Sequence, residues 1–70
     1  MVVEFIQKYA NTMIEHNQTW NATDLENELF RNGYNVVFCV PHTSGCKFRV
    51  HLGNQEFIEG ILTSSGTLII

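Results

Sequence analysis

Six consecutive residues, Lys47-Phe48-Arg49-Val50-His51-Leu52, alternate basic and apolar without a break, and they constrain the fold more than any other segment. An extended backbone sends successive side chains to opposite faces. Phe48, Val50 and Leu52 therefore share one side of a strand, and Lys47, Arg49 and His51 share the other. The first set belongs against a core. The second holds two of the chain's four Lys and Arg residues.

Strands are expected around this run. Val36-Val37-Phe38-Cys39-Val40 is β-branched, aromatic and apolar on both faces, the composition of a central, covered strand. Residues 41–45 read as a turn, since Pro41 cannot donate to a ladder and Thr-Ser-Gly favours reversal. Gly53-Asn54 stands where a two-residue hairpin loop would, returning residues 55–62 antiparallel. Thr63-Ser64-Ser65-Gly66 forms a further turn before Thr67-Leu68-Ile69-Ile70.

The first half has a helical period instead. Across residues 2–16, Val2, Phe5, Ile6, Tyr9, Ala10, Met13 and Ile14 fall on one arc, with Glu4, Gln7, Lys8, Asn11 and Glu15 opposite. A second helix has two possible starts. Thr23 as N-cap would close a capping box with Glu26; Asn21 as N-cap would set Asp24 at N3 and let Trp20 staple onto Leu25. Leu25, Leu29 and Phe30 form its apolar face, and Gly33 is a natural stop. The expected architecture is one α+β domain, two N-terminal helices packed on a three- or four-stranded antiparallel meander. Its expected core is Phe5, Ile6, Tyr9, Met13, Leu25, Leu29, Phe30, Phe38, Phe48, Val50, Leu52 and Ile61.

Size and charge narrow the function classes. At 70 residues the core is small and stability marginal unless a partner adds to it. With 44% apolar and 16% charged residues the chain is globular rather than disordered. A formal charge of −3 opposes a bulk polyanion, so any nucleic-acid contact must be local. No apolar run approaches the roughly 18 residues of a membrane span. The N-terminus has neither a basic stretch nor an unbroken apolar stretch of the kind a signal peptide needs. A cytoplasmic protein with reduced Cys39 and Cys46 is expected, without membrane contact.

Cys39, His42, Cys46 and His51 have zinc-like spacing, C-x2-H-x3-C-x4-H. Strand parity opposes it, because Cys46 shares the side of Phe48 whereas His51 shares that of Arg49. Neither a metal nor another cofactor is expected. Lys47, Arg49 and His51 form a stripe able to meet an anion or nucleic acid. RNA-binding sheets add exposed aromatics for stacking, and here Phe38, Phe48 and Phe57 are assigned to the core. A solvated stripe paired to Glu56 or Glu59 is therefore preferred. Glu15, Asp24, Glu26 and Glu28 form a possible acidic patch for a partner, although Asp24 and Glu26 already suit a helix start. Trp20, Leu68, Ile69 and Ile70 exceed what a small sheet obviously covers, which points to a protein partner or a second copy.

The segment from Asp24 to Tyr34, followed by His42, resembles the first helix and Gly-aromatic exit of the HicA-type toxins. These are small RNA-cleaving proteins in which a helix leads into a three-stranded sheet. The Gly-Ser before that family's catalytic His is replaced here by Pro41, and the activity is not carried over. The function expected is a non-enzymatic protein-interaction module, a homodimer, and a small regulator or inhibitor of the kind carried by bacteria and their phages. A weak nucleic-acid module using Lys47, Arg49 and His51 is the alternative. An RNase-like toxin with His42 as acid or base ranks third.

Overall fold

A computed structural model describes residues 1–70. Helices α1 (Val2–Glu15) and α2 (Ala22–Arg31) precede four strands: β1 Asn35–His42, β2 Gly45–Gly53, β3 Glu56–Thr63 and β4 Leu68–Ile69. The strands pair antiparallel in chain order, as one sheet. This is the α+β meander expected. No helix is long and apolar enough to cross a membrane.

Helix α2 uses the earlier of its two possible starts. The Asn21 side chain accepts from the Asp24 N–H at 2.8 Å, and the Asp24 carboxylate accepts from the Asn21 N–H at 3.0 Å. This reciprocal bonding satisfies two donors that a helix start otherwise leaves open. In the last turn Arg31 pairs with Glu28 at 2.8 Å.

Both helices bury a stripe against the same face of the sheet. Val2, Ile6 and Ala10 of α1 and Ala22, Leu25 and Leu29 of α2 meet Cys46, Phe48 and Val50 of β2 and Leu62 of β3. Each large aliphatic or aromatic side chain buried here contributes about 1.5–3 kcal/mol. Tyr9 stands edge-on to Trp20 at 6.2 Å, and Phe5 tilts against Tyr34 at 5.2 Å, closing the layer between helices and sheet. Helix α1 is also tied to the β3–β4 turn. Gln7 Nε2 donates to the Gly66 carbonyl at 3.0 Å, and the Ile14 side chain lies where a Cβ on Gly66 would be. With φ +90° as well, residue 66 accepts only glycine without strain.

Several expectations are corrected. Strand β1 is an edge, not a central strand, and its outward side chains have no covering layer. Pro41 lies within β1 rather than in a turn, a position open to proline because an edge strand is paired on one side. The β2–β3 loop is Asn54-Gln55, both at positive φ (51° and 65°), one residue later than Gly53-Asn54. Of the expected core, Phe30 and Leu52 are exposed. Phe38 and Ile61 lie on the outward face, opposite Arg49 and Lys47 respectively.

Candidate functional site

Two register shifts decide what the outward face carries. In β1 an extra residue, Val37, is inserted between Val36, opposite Val50, and Phe38, opposite Arg49. A β-bulge of this kind reverses which side every following residue faces. Cys39 and Pro41 therefore turn inward against Phe48 and Cys46, and Phe38 and Val40 turn outward beside Arg49 and Lys47. In β2 a second irregularity, the extra residue Leu52 between His51 and Gly53, sets Phe57 opposite His51 and Glu59 opposite Arg49. Ile61 then faces Lys47 on one side and Ile69 of β4 on the other.

The result is a mixed surface on a face that no helix covers. Its basic row is Lys47, Arg49 and His51, as expected from the sequence. Around that row stand Phe38, Val40, Phe57, Ile61 and Ile69. Val40, Phe57 and Ile69 are 43%, 50% and 51% exposed. Phe38 and Phe57, expected in the core, lie instead on the side where a ligand or partner would meet them.

Arg49 is held at the centre. Its Nε donates to Glu59 Oε1 at 3.0 Å, and its guanidinium lies 5.7 Å from the Phe38 ring and 5.6 Å from the Phe57 ring. Such cation–π contacts add about 0.5–1 kcal/mol each at exposed sites. The exposed ion pair contributes about as little. Their combined effect is to fix the side chain with its Nη groups left for another acceptor. His51 is fixed too: its Nδ1 accepts from the Gly53 N–H at 3.2 Å, and Phe57 packs edge-on at 4.9 Å.

The remaining candidates are scattered. His42 is exposed at the β1–β2 turn, its Nδ1 accepting from the Ser44 N–H at 3.1 Å. Cys39 and Cys46 point into the covered face, whereas His42 and His51 have the opposite parity, so the four do not converge. Glu15, Asp24, Glu26 and Glu28 do not act alike either. Asp24 caps α2, Glu28 holds Arg31, Glu26 lies beside Cys39, and Glu15 is exposed on the last turn of α1. Trp20 is half-buried against Tyr9, so much of it is committed within the molecule. Of the last three residues, Ile69 joins the open face, and Leu68 and Ile70 line a groove with Val3 and Gln7 of α1.

A parity count could have found the missed residues. A loop at Gly53-Asn54 sets Val50 opposite Phe57 and Phe48 opposite Glu59, which places a carboxylate against the core. Moving the register by one residue removes that penalty and turns Phe57 and Ile61 outward. The bulge at Val37 has no comparable signal in a run that is apolar throughout. Set against protein-family models, curated proteins and solved structures, the chain matches none of them.

Proposed function

We propose that the chain is a non-enzymatic protein-interaction module that associates with a second copy through the open face of its sheet. The observation that carries this reading is the contiguous cluster of Phe38, Val40, Phe57, Ile61 and Ile69 on a face without a covering layer. Folded monomers seldom expose an apolar patch larger than a few hundred Å². Burying that apolar area between two copies favours association at about 25 cal/mol per Å², before the costs of ordering.

A second copy suits the charges as well as the apolar groups. Each face presents one fixed guanidinium and one carboxylate, so two copies related by a two-fold axis can set Arg49 against Glu59 across the interface. A regulated or inhibited target would then meet the acidic helix side, around Asp24 and Glu28, in the cytoplasm. Sedimentation equilibrium of the wild-type chain should give a dimer at micromolar concentration. Phe57→Glu and Val40→Glu should each return it to monomer while leaving the far-ultraviolet circular dichroism unchanged. A wild-type chain that stays monomeric over that range overturns the reading.

The exposed rings beside Arg49 favour one other reading, contact with single-stranded nucleic acid. Two rings stacking one base each would contribute about 2–6 kcal/mol. Association costs about 4–15 kcal/mol, and the net charge of −3 adds repulsion. Magnitude therefore ranks it second. Reversing Lys47 and Arg49 to Glu would abolish retention of labelled oligonucleotides on this reading, and unchanged retention would end it.

A further inference from the structure

The proposed interface contains an imidazole that no ion pair reaches. His51 lies on the open face, and its Nδ1 accepts a hydrogen bond from the Gly53 N–H at 3.2 Å. A ring nitrogen that accepts carries no proton, so the imidazole in this arrangement is neutral, with its one proton on Nε2. The bond ties the end of β2 where the chain turns, since Gly53, Asn54 and Gln55 follow one another at φ +95°, +51° and +65°. The ring also packs edge-on against Phe57 at 4.9 Å, and the Arg49 guanidinium lies 5.6 Å from that same Phe57 ring.

The charged groups around His51 favour its neutral form once the face is covered. On β2 itself, Lys47 and Arg49 share its side. On β3 the outward carboxylate is Glu59, already held by Arg49 Nε at 3.0 Å. Glu56 immediately precedes Phe57, so the alternation of the strand turns it to the other side. On β1 the residue opposite His51 is the neutral Asn35, and His42 stands at the far end of the strand. Strand β4 brings no charged side chain. With His51 neutral the centre of the face holds Lys47, Arg49 and Glu59, a net of one positive charge. A protonated His51 makes it two, and two such faces pressed together hold twice that.

We propose that His51 is a proton-sensitive gate on self-association: a second copy docks while the imidazole is neutral and is released when it takes up a proton. The gate rests on the dimer reading given above. Protonation removes the acceptor of the Gly53 N–H, and it sets an uncompensated cation where the second copy would exclude water. Imidazole is the side chain that ordinarily changes charge between about pH 5 and about pH 8. The dimer therefore binds fewer protons than two separate chains, and its dissociation constant rises as pH falls.

Sedimentation equilibrium of the wild-type chain at about pH 7.5 and about pH 5.5 tests this, with the far-ultraviolet circular dichroism recorded at both. The expected result is a dissociation constant roughly tenfold or more higher at the lower pH, with the spectrum unchanged. His51→Gln should lose the response and give the same constant at both values, whereas His42→Gln should keep it. A wild-type dimer equally tight at both values, or a full response in His51→Gln, overturns the gate and leaves the dimer standing. A wild-type chain that is monomeric at both values removes the dimer and the gate with it. The local step is read separately in the monomeric Val40→Glu chain by nuclear magnetic resonance. There the Gly53 amide proton should move upfield as the His51 ring titrates, and an amide that stays in place overturns the proposal.

Discussion

The two faces of this sheet are built from the same strands, alternating residue by residue, and they meet different surroundings. On the inner face Cys46, Phe48 and Val50 are sealed beneath two helices. On the outer face Lys47, Arg49 and His51 stand among Phe38, Val40, Phe57, Ile61 and Ile69, under no second layer. Apolar content does not separate them. What separates them is whether a helix is present to remove the apolar area from water, and whether charge is interleaved with it. An inner face of this kind sets whether the chain folds; an outer face of this kind can change greatly with little effect on folding, and it is where recognition can be written.

Substitutions should break that contrast in a graded way. Phe48→Ala, at the centre of the covered face, should cost about 3–5 kcal/mol, enough to leave the domain largely unfolded in urea titration. Gly60→Ala is also an inner-face change. A Cβ there would meet the Ile69 carbonyl oxygen at 2.6 Å and Phe48 Cζ at 3.1 Å. It should cost about 1–3 kcal/mol, visible as a lower denaturation midpoint. Replacing Phe38 and Phe57 together by Ala should change the stability of the dilute monomer by about 1–2 kcal/mol, the worth of their two contacts with Arg49, although each is as large as Phe48. A loss as great as that of Phe48→Ala would show the open face to be part of the core.

The smallest effect depends on pH. Burial, followed by the charges of Asp24 and Glu28, holds the Tyr9 phenol above its ordinary value of 10.0. The native state then keeps this proton more tightly than the unfolded chain. Its contribution is therefore complete below pH 10 and is lost as pH rises through the higher native value. Tyr9→Phe should flatten the alkaline fall in thermal midpoint and leave the neutral midpoint nearly unchanged. An alkaline slope identical to wild type would exclude Tyr9 as its source.

Much of this was legible in the sequence, for identifiable reasons. The stripe at Val2, Ile6 and Ala10 and the alternation of residues 47–52 are each local, with one sterically consistent reading, whereas the start of α2 had two, of which Asn21 is the one used. They gave the element order, the helix-covered face and the basic row. The outer cluster was not legible because it depends on register, which two inserted irregularities set. Phe38 faces outward only because Val37 is an extra residue in β1, and Phe57 only because Leu52 is one in β2. Neither side chain differs in hydrophobicity from one that faces inward. That Cys39 faces the same side as Cys46 has the same origin, since it requires the bulge that carries Cys39 to the inside.

The irregular edge strand also governs what kind of assembly this chain can make. A straight, unblemished border beside so oily a sheet would invite copy after copy to add on, strand by strand, without end. The kink at Val37 and the missing donor at Pro41 spoil that border as a template. Growth along the ladder is discouraged at its longer rim, and sticking is diverted to the flat side, where two molecules can shield each other and stop.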